Sequence, residues 1–389
     1  MESITKIRDH RIDILRGLSL IGIILVNANT MNSPPWMHTQ GFAFIQSNWD
    51  AFVADNLFAL FAKKTYPVFA FLFGFSASIF ISHLLQNQKS IRFWYQRMLA
   101  LSLFGILQVS LIWWGDILID YALIGLLLPL FCYIPKQYLW WVTGLLFVIL
   151  IIFSFIVVMT KQAGINPTDY QLYMGKLGFE LISKQRIYDF YIYNFWGYQQ
   201  YSTNFHYFMV YCNFHWQLLT LMVLGLTCHK MAVFNEKNRL CRVLLLILIG
   251  YGVLQSYSNP VFQQATYNID NLLLSSAFVV VLMLLLNKKA VQNRLFPLTA
   301  VGKMSLTIYL LSSLIFSGIF YGYGLGLYGE IGPANASLIA LIVIIALFVF
   351  SVIWSHFFSM GLLEYLFRKL TYLSIGKISL KPRMDINKR

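Results

Sequence analysis

Apolar residues run along this chain in blocks of about twenty, separated by short polar stretches. Residues 138–160 carry no charge over 23 positions, and 336–360 carry none over 25. Either run can cross a hydrocarbon core of about 30 Å. Blocks of this kind predict helices over 14–32, 65–85, 98–115, 117–134, 138–160, 207–228, 243–259, 270–287, 304–322 and 336–360. Longer polar or mixed stretches fall at 33–64 and 161–205, and a basic tail covers 361–389. The second loop is dense in Tyr, Phe and Trp, which fits a segment lying at the membrane interface or a lid whose rings stack on an acceptor.

Composition sharpens this picture. Of 389 residues 58% are hydrophobic and only 11% are charged, against about 25% charged in a soluble domain. The fold class is therefore all-α: a polytopic integral membrane helical bundle of about ten transmembrane helices, forming a single transmembrane domain over 1–389. With the N-terminus in the cytoplasm, 23 of the 29 Lys and Arg fall in inner segments and 6 in outer ones. That asymmetry follows the positive-inside rule and predicts that both termini are cytoplasmic. The same placement accounts for the net charge of +14 by contact with anionic membrane lipids, so no nucleic-acid partner is expected. Asp13 and Arg16 at the head of the first apolar run argue for a retained helix rather than a cleaved leader. Cys132, Cys212, Cys228 and Cys241 lack CxxC spacing, so neither a disulfide framework nor a metal site is expected.

Candidate chemistry starts in that first helix. Asp13 and Arg16 are spaced i, i+3 and share a face; Asn27, about three turns on, returns to it. Charge inside a membrane helix marks function or a buried pairing. Asp116 and Asp120, spaced i, i+4 after Trp113-Trp114-Gly115, suit the orientation of a histidine or acid–base work; helix capping is the plain alternative. His206 and His215, with Asn213 and Gln217, line a polar cavity or bond between helices. His38 follows Pro34-Pro35-Trp36, where two prolines restrict the backbone. Glu364 and Arg368, also i, i+4, sit where Glu364 can meet Arg16 as a latch. The glycines at 322, 324 and 326 follow a membrane helix rather than a strand, which excludes a dinucleotide-binding fingerprint.

Several motifs together resemble the YeiB-like family, the bacterial membrane proteins grouped as domain of unknown function 418. They are Asp13-Ile14-Leu15-Arg16-Gly17 with Gly22-Ile23-Ile24-Leu25-Val26-Asn27, then Phe71-Leu72-Phe73-Gly74, then Trp113-Trp114-Gly115-Asp116 with Tyr121-Ala122-Leu123-Ile124-Gly125. Late in the chain come Gly302-Lys303-Met304-Ser305 and Gly361-Leu362-Leu363-Glu364 with Arg368. The order covers nearly the whole chain; Leu362 departs from the family's usual Pro.

YeiB-like proteins are in turn distantly similar to the transmembrane acyltransferases, the group that includes heparan-alpha-glucosaminide N-acetyltransferase. There a catalytic His follows the first-helix Asn by eleven residues, which here is His38. The resemblance implies transfer of an acetyl or related acyl group from cytosolic acyl-CoA to an outward-facing small-molecule or glycan acceptor, without a metal. It makes His38 the catalytic residue, with Asp116 or Asp120 orienting it, and Asp13, Arg16, Asn27 and Lys303 along the donor path. Asp13 and His38 would lie roughly 20–30 Å apart at about 1.5 Å per helical residue. The implied setting is a bacterial plasma membrane, and a homodimer is compatible with it. A different class, a transporter or export and immunity protein for a small amphipathic molecule, predicts the same polar stripe; no inverted repeat or pair of discontinuous helices supports it.

Overall fold

The computed structural model describes residues 9–32, 47–57, 61, 64–162, 205–234 and 260–372. Among them the regular structure is helical. In chain order the helices are α1 (His10–Asn32), α2 (Asn48–Leu57), α3 (Thr65–Gln86), α4 (Arg92–Leu111), α5 (Leu118–Gly125), α6 (Leu128–Cys132), α7 (Lys136–Gln162) and α8 (Phe205–Lys230). They continue with α9 (Pro260–Leu286), α10 (Lys289–Leu295), α11 (Leu298–Lys303), α12 (Ser305–Phe320), α13 (Pro333–Phe357) and α14 (Leu362–Thr371). Within the described residues five helices are long and apolar enough to cross a membrane, or six if the bent pair 273–286 and 289–295 forms one span. The protein is thus an all-α membrane bundle. The helix expected over 243–259 lies outside the described residues.

Helix α1 is the axis. Some 67% of its most apolar window is buried, against 28% for α7, so α1 is ringed by protein while α7 faces lipid through Trp141, Leu145 and Ile152. Helix α1 packs against α3, α9, α11, α12 and α13. Hydrophobicity does not separate helix from lipid, so close backbone approach over small residues must hold such a bundle. Two glycine crossings supply it. A Cβ on Gly17 would sit 2.6 Å from the Leu298 carbonyl oxygen, and one on Gly302 would collide with the Asp13 carbonyl, locking α1 to α11. Gly74 and Gly225 do the same for α3 and α8, against the Met222 and Phe71 carbonyls.

Two expectations need correction. The span expected over 117–134 is broken into α5 and α6. Pro129 has no N–H to give to the Gly125 carbonyl four residues back, and that carbonyl instead accepts the Trp94 indole N–H at 2.9 Å. The basic stretch from 361 does not start as a plain tail: it opens with α14, which buries Phe367 and Thr371 and exposes Leu362, Leu366 and Lys369. In the 33–64 region, α2 docks on the start of α13, where Asp50 Oδ1 accepts the Ala334 N–H at 3.0 Å.

Candidate functional site

One cavity of about 210 Å³ lies beside α1. Its wall includes Arg16 from α1, Arg97 from α4, Lys303 from α11 and Arg368 from α14, with Glu364 the acidic side chain among them. Along each helix the lining turns apolar away from these charges: Arg16 is followed by Leu20 and Ile23, Arg97 by Leu101, and Ser305 by Tyr309. Seven residues of α1 rise about 10 Å, so the cavity has a cationic mouth and an apolar far end. Phe69 and Phe73 of α3 and Leu118 and Tyr121 of α5 complete that end.

The glycine crossing builds the mouth. Gly17 adjoins Arg16 and Gly302 adjoins Lys303, so the contact that locks α1 to α11 also brings two cations to one wall. Arg16 is braced twice: Nη1 lies 3.8 Å from Asp13 Oδ1, and Nη2 donates to Ser76 Oγ of α3. Asp13 is 2% exposed and does not line the cavity; it neutralises Arg16 from behind. Arg97 has a different support. Its guanidinium lies 4.7 Å from the ring centre of Phe367 and 5.2 Å from that of Phe80, a pair of cation–π contacts.

Glu364 does not form the expected latch onto Arg16. Its Oε1 accepts the N–H groups of Leu306 at 2.7 Å and Thr307 at 3.1 Å, and Oε2 accepts the Thr307 hydroxyl at 2.6 Å. It thus closes the N-terminus of α12 from α14, where free N–H groups and the helix dipole favour a carboxylate. Burial nevertheless pushes its carboxyl above the ordinary 4.5. The fold therefore keeps a proton there that the unfolded chain has released. That contribution is complete at acid pH and is lost as pH rises through the raised value. Glu364→Ala, which strands three donors, is expected to cost about 2–3 kcal/mol. Glu364→Gln is expected to lose less and to flatten the fall of melting temperature with rising pH, readable by thermal unfolding in detergent.

Asp116 and Asp120 part company. Asp116 Oδ2 accepts the N–H groups of Leu118 at 2.8 Å and Ile119 at 3.1 Å, capping α5, and Oδ1 accepts the Tyr309 hydroxyl at 3.3 Å. It stands behind the apolar end of the cavity. Asp120 holds a histidine, but one 95 residues away: His215 Nε2 lies 2.9 Å from Asp120 Oδ1. His215 Nδ1 faces the Tyr211 carbonyl at 2.8 Å. Both ring nitrogens meet acceptors, so with both bonds made a proton sits between Nε2 and the carboxylate. Gln217 Oε1 accepts the Tyr66 hydroxyl at 3.2 Å, and Asn213 Oδ1 accepts the Ser154 hydroxyl at 3.5 Å, so these side chains bond between helices.

Of the other expected site residues, Lys303 lines both this cavity and a neighbouring one of about 370 Å³. Asn27 is half-buried on α1 and lines neither. His38 and the side chain of His206 lie outside the described residues. Arg97 carried no expectation beyond its sign. The available signal is an arginine at the edge of the apolar run that the sequence starts at 98. No group of three or more His, Cys, Asp or Glu able to hold a metal occurs among the described residues.

Comparison with known proteins places this arrangement. The family model described as protein of unknown function (DUF418) matches residues 230–374, the stretch that carries Lys303, Tyr309, Glu364 and Arg368. The chain is 31% identical over 409 residues to the uncharacterized protein YxaH of Bacillus subtilis, covering 98% of each. It is 25% identical over 395 residues to an uncharacterized 39.9 kDa protein of Bacillus acidopullulyticus, covering 97% of this chain and 98% of that one. The uncharacterized protein YeiB of Escherichia coli matches at 37% over 81 residues, 20% of each chain. No solved structure matches.

Proposed function

This chain belongs to the DUF418 family of YeiB-like membrane proteins, and on that premise we propose that it is a membrane acyltransferase. It takes an acetyl or related acyl group from cytosolic acyl-CoA and passes it to a small-molecule or glycan acceptor facing outward across a bacterial plasma membrane. The observation that carries the reading is the cavity beside α1, cationic at one end and apolar at the other. The Lys and Arg distribution supports a cytoplasmic setting for the cationic end. That polarity suits a thioester whose anionic carrier stays near the mouth while the acyl end points into the bundle.

Arg16 and Lys303 would meet the carrier, and Asp13 would hold Arg16 in place. Asn27 would lie farther along the route, as the motif in the first helix implies. His38 would take the proton from the acceptor hydroxyl or amine as that atom attacks the thioester carbonyl. The new C–O or C–N bond forms, the C–S bond breaks, and the proton leaves with the CoA thiolate. Asp116 or Asp120 would orient the His38 ring, as the resemblance implies; within the described residues Asp120 also bonds His215, and Asp116 bonds α5 and Tyr309. No metal enters this scheme.

The test is transfer of labelled acetyl from acetyl-CoA by purified protein in vesicles. His38→Ala is expected to lower the rate by about 100-fold or more while acetyl-CoA binding persists. Full activity in the variant removes His38 from the mechanism. Movement of an amphipathic substrate with no acyl consumed would replace the enzyme with a transporter.

A further inference from the structure

Among the described residues, Arg97 is a cation held in place without an anion to hold. Its guanidinium carbon lies over the rings of Phe80 and Phe367. Among the described residues it makes no ion pair and no side-chain hydrogen bond. The nearby acids are engaged elsewhere: Asp13 with Arg16, and Glu364 with the first turn of α12. Arg16 and Arg368 stand close enough to repel it. A half-buried guanidinium beside two others is unfavourable unless an anion joins them.

The geometry also selects the kind of anion. The rings hold the guanidinium carbon, and among the described residues no protein acceptor takes its N–H groups, so its planar fork of donors stays available. That fork matches two oxygens of a tetrahedral oxyanion. Charge points the same way. Among the described residues, four lining cations face a single lining carboxylate, Glu364, with Asp13 behind the wall. A phosphate monoester carries about 1.5 to 2 negative charges near neutral pH; a carboxylate carries one. Beyond the cations the lining is Leu20, Ile23, Phe69 and Leu118, so the rest of the ligand is apolar.

We propose that the mouth of this cavity is a phosphate-ester site anchored by Arg97, with Lys303, Arg368 and Arg16 around it, and that it takes an amphipathic phosphate with its apolar part toward Ile23. Two sources share this chemistry. One is the phosphates of an acyl-CoA, and that branch rests on the acyltransferase reading. The other is the phosphate of a membrane lipid such as a phosphatidic acid, and that branch does not.

The experiment titrates full-length protein, in nanodiscs of zwitterionic lipid, with acetyl-CoA, with acetyl-pantetheine lacking phosphate, and with short-chain phosphatidic acid. The proteins are wild type, Arg97→Gln and Arg97→Lys. At least one phosphate ligand is expected to bind wild type, with acetyl-pantetheine bound far more weakly. Arg97→Gln is expected to weaken the phosphate ligand on the order of 30-fold, and Arg97→Lys to recover little of it because the fork is gone. Without ligand, Arg97→Gln should melt no lower than wild type, since it removes an uncompensated cation, and should lose the rise in melting temperature that ligand brings. Binding of phosphatidic acid but not acetyl-CoA upholds the phosphate site and removes the acyl-CoA donor. Equal binding of acetyl-CoA by wild type and Arg97→Gln, or by acetyl-pantetheine and acetyl-CoA, overturns the phosphate site and leaves the transferase reading standing. If neither phosphate ligand binds wild type, the site is overturned outright. A ligand-free Arg97→Gln that melts well below wild type makes Arg97 a structural cation and also overturns it.

Discussion

Gly302→Val leaves little or no folded protein in the membrane. A Cβ at this position would lie inside the Asp13 carbonyl group, and all three nearest obstacles are backbone atoms of α1 that cannot rotate away. The opposing residue on α1, Gly17, is already 2.6 Å from the Leu298 carbonyl by the same measure, so sliding the helices relieves nothing. Overpacking a core costs about 1–3 kcal/mol when side chains can yield; here backbone meets backbone, so at least about 3 kcal/mol is expected. The helices can only part, and parting them separates Arg16 from Lys303. Gly144→Val and Gly318→Val are the controls, because a Cβ there meets nothing within 4 Å. Size-exclusion of detergent extracts should show a monodisperse peak for both controls and none for Gly302→Val. Equal peaks for all three would mean that α1 and α11 do not approach this closely.

His215→Ala is the second large effect, and its size depends on what stands at 120. The substitution leaves the Asp120 carboxylate, 18% exposed, without its partner inside the bundle. Breaking a buried ion pair from one side costs about 3–5 kcal/mol; the residual exposure of this one brings the expectation down to about 2–3 kcal/mol. Asp120→Asn should behave differently. Its amide N–H can donate to His215 Nε2 while Nδ1–H keeps the Tyr211 carbonyl, so every hydrogen bond survives with no charge present. Asp120→Asn is therefore expected to melt within about 1 kcal/mol of wild type, and to restore much of the stability lost in His215→Ala when the two are combined. A double variant no more stable than His215→Ala would show that the carboxylate is not the burden.

What could be read from the residue order follows the reach of each interaction. The spans around 138–160 and 336–360 are legible because hydropathy sums over neighbours in sequence, and α7 and α13 appear with only small shifts. The Asp13–Arg16 pair is legible because i, i+3 spacing decides it. Interactions closed by tertiary structure are not. The partner of Asp120 is 95 residues distant, and Glu364 leaves its own i+4 neighbour to cap a helix that begins 59 residues earlier. The break after Gly125 was in principle visible, since Pro129 interrupts an apolar run, but hydropathy alone does not register a missing N–H. Arg97 is legible only as a positive charge, because its aromatic partners belong to two other helices. The motif glycines Gly17, Gly74 and Gly302 were visible as letters; their role is visible only where another backbone occupies the space of a Cβ.

The ion pair within α1 also bears on how the chain is made. The four basic groups that meet at one wall come from α1, α4, α11 and α14, so the wall closes only after the last of these is synthesised. Until then the leading helix has to rest in lipid with an acid and a base exposed near one end. Their spacing lets Asp13 and Arg16 neutralise each other without help from any later segment. The leading helix can thus leave the insertion machinery as a self-balanced dipole and wait in the bilayer for α11 and α14 to arrive.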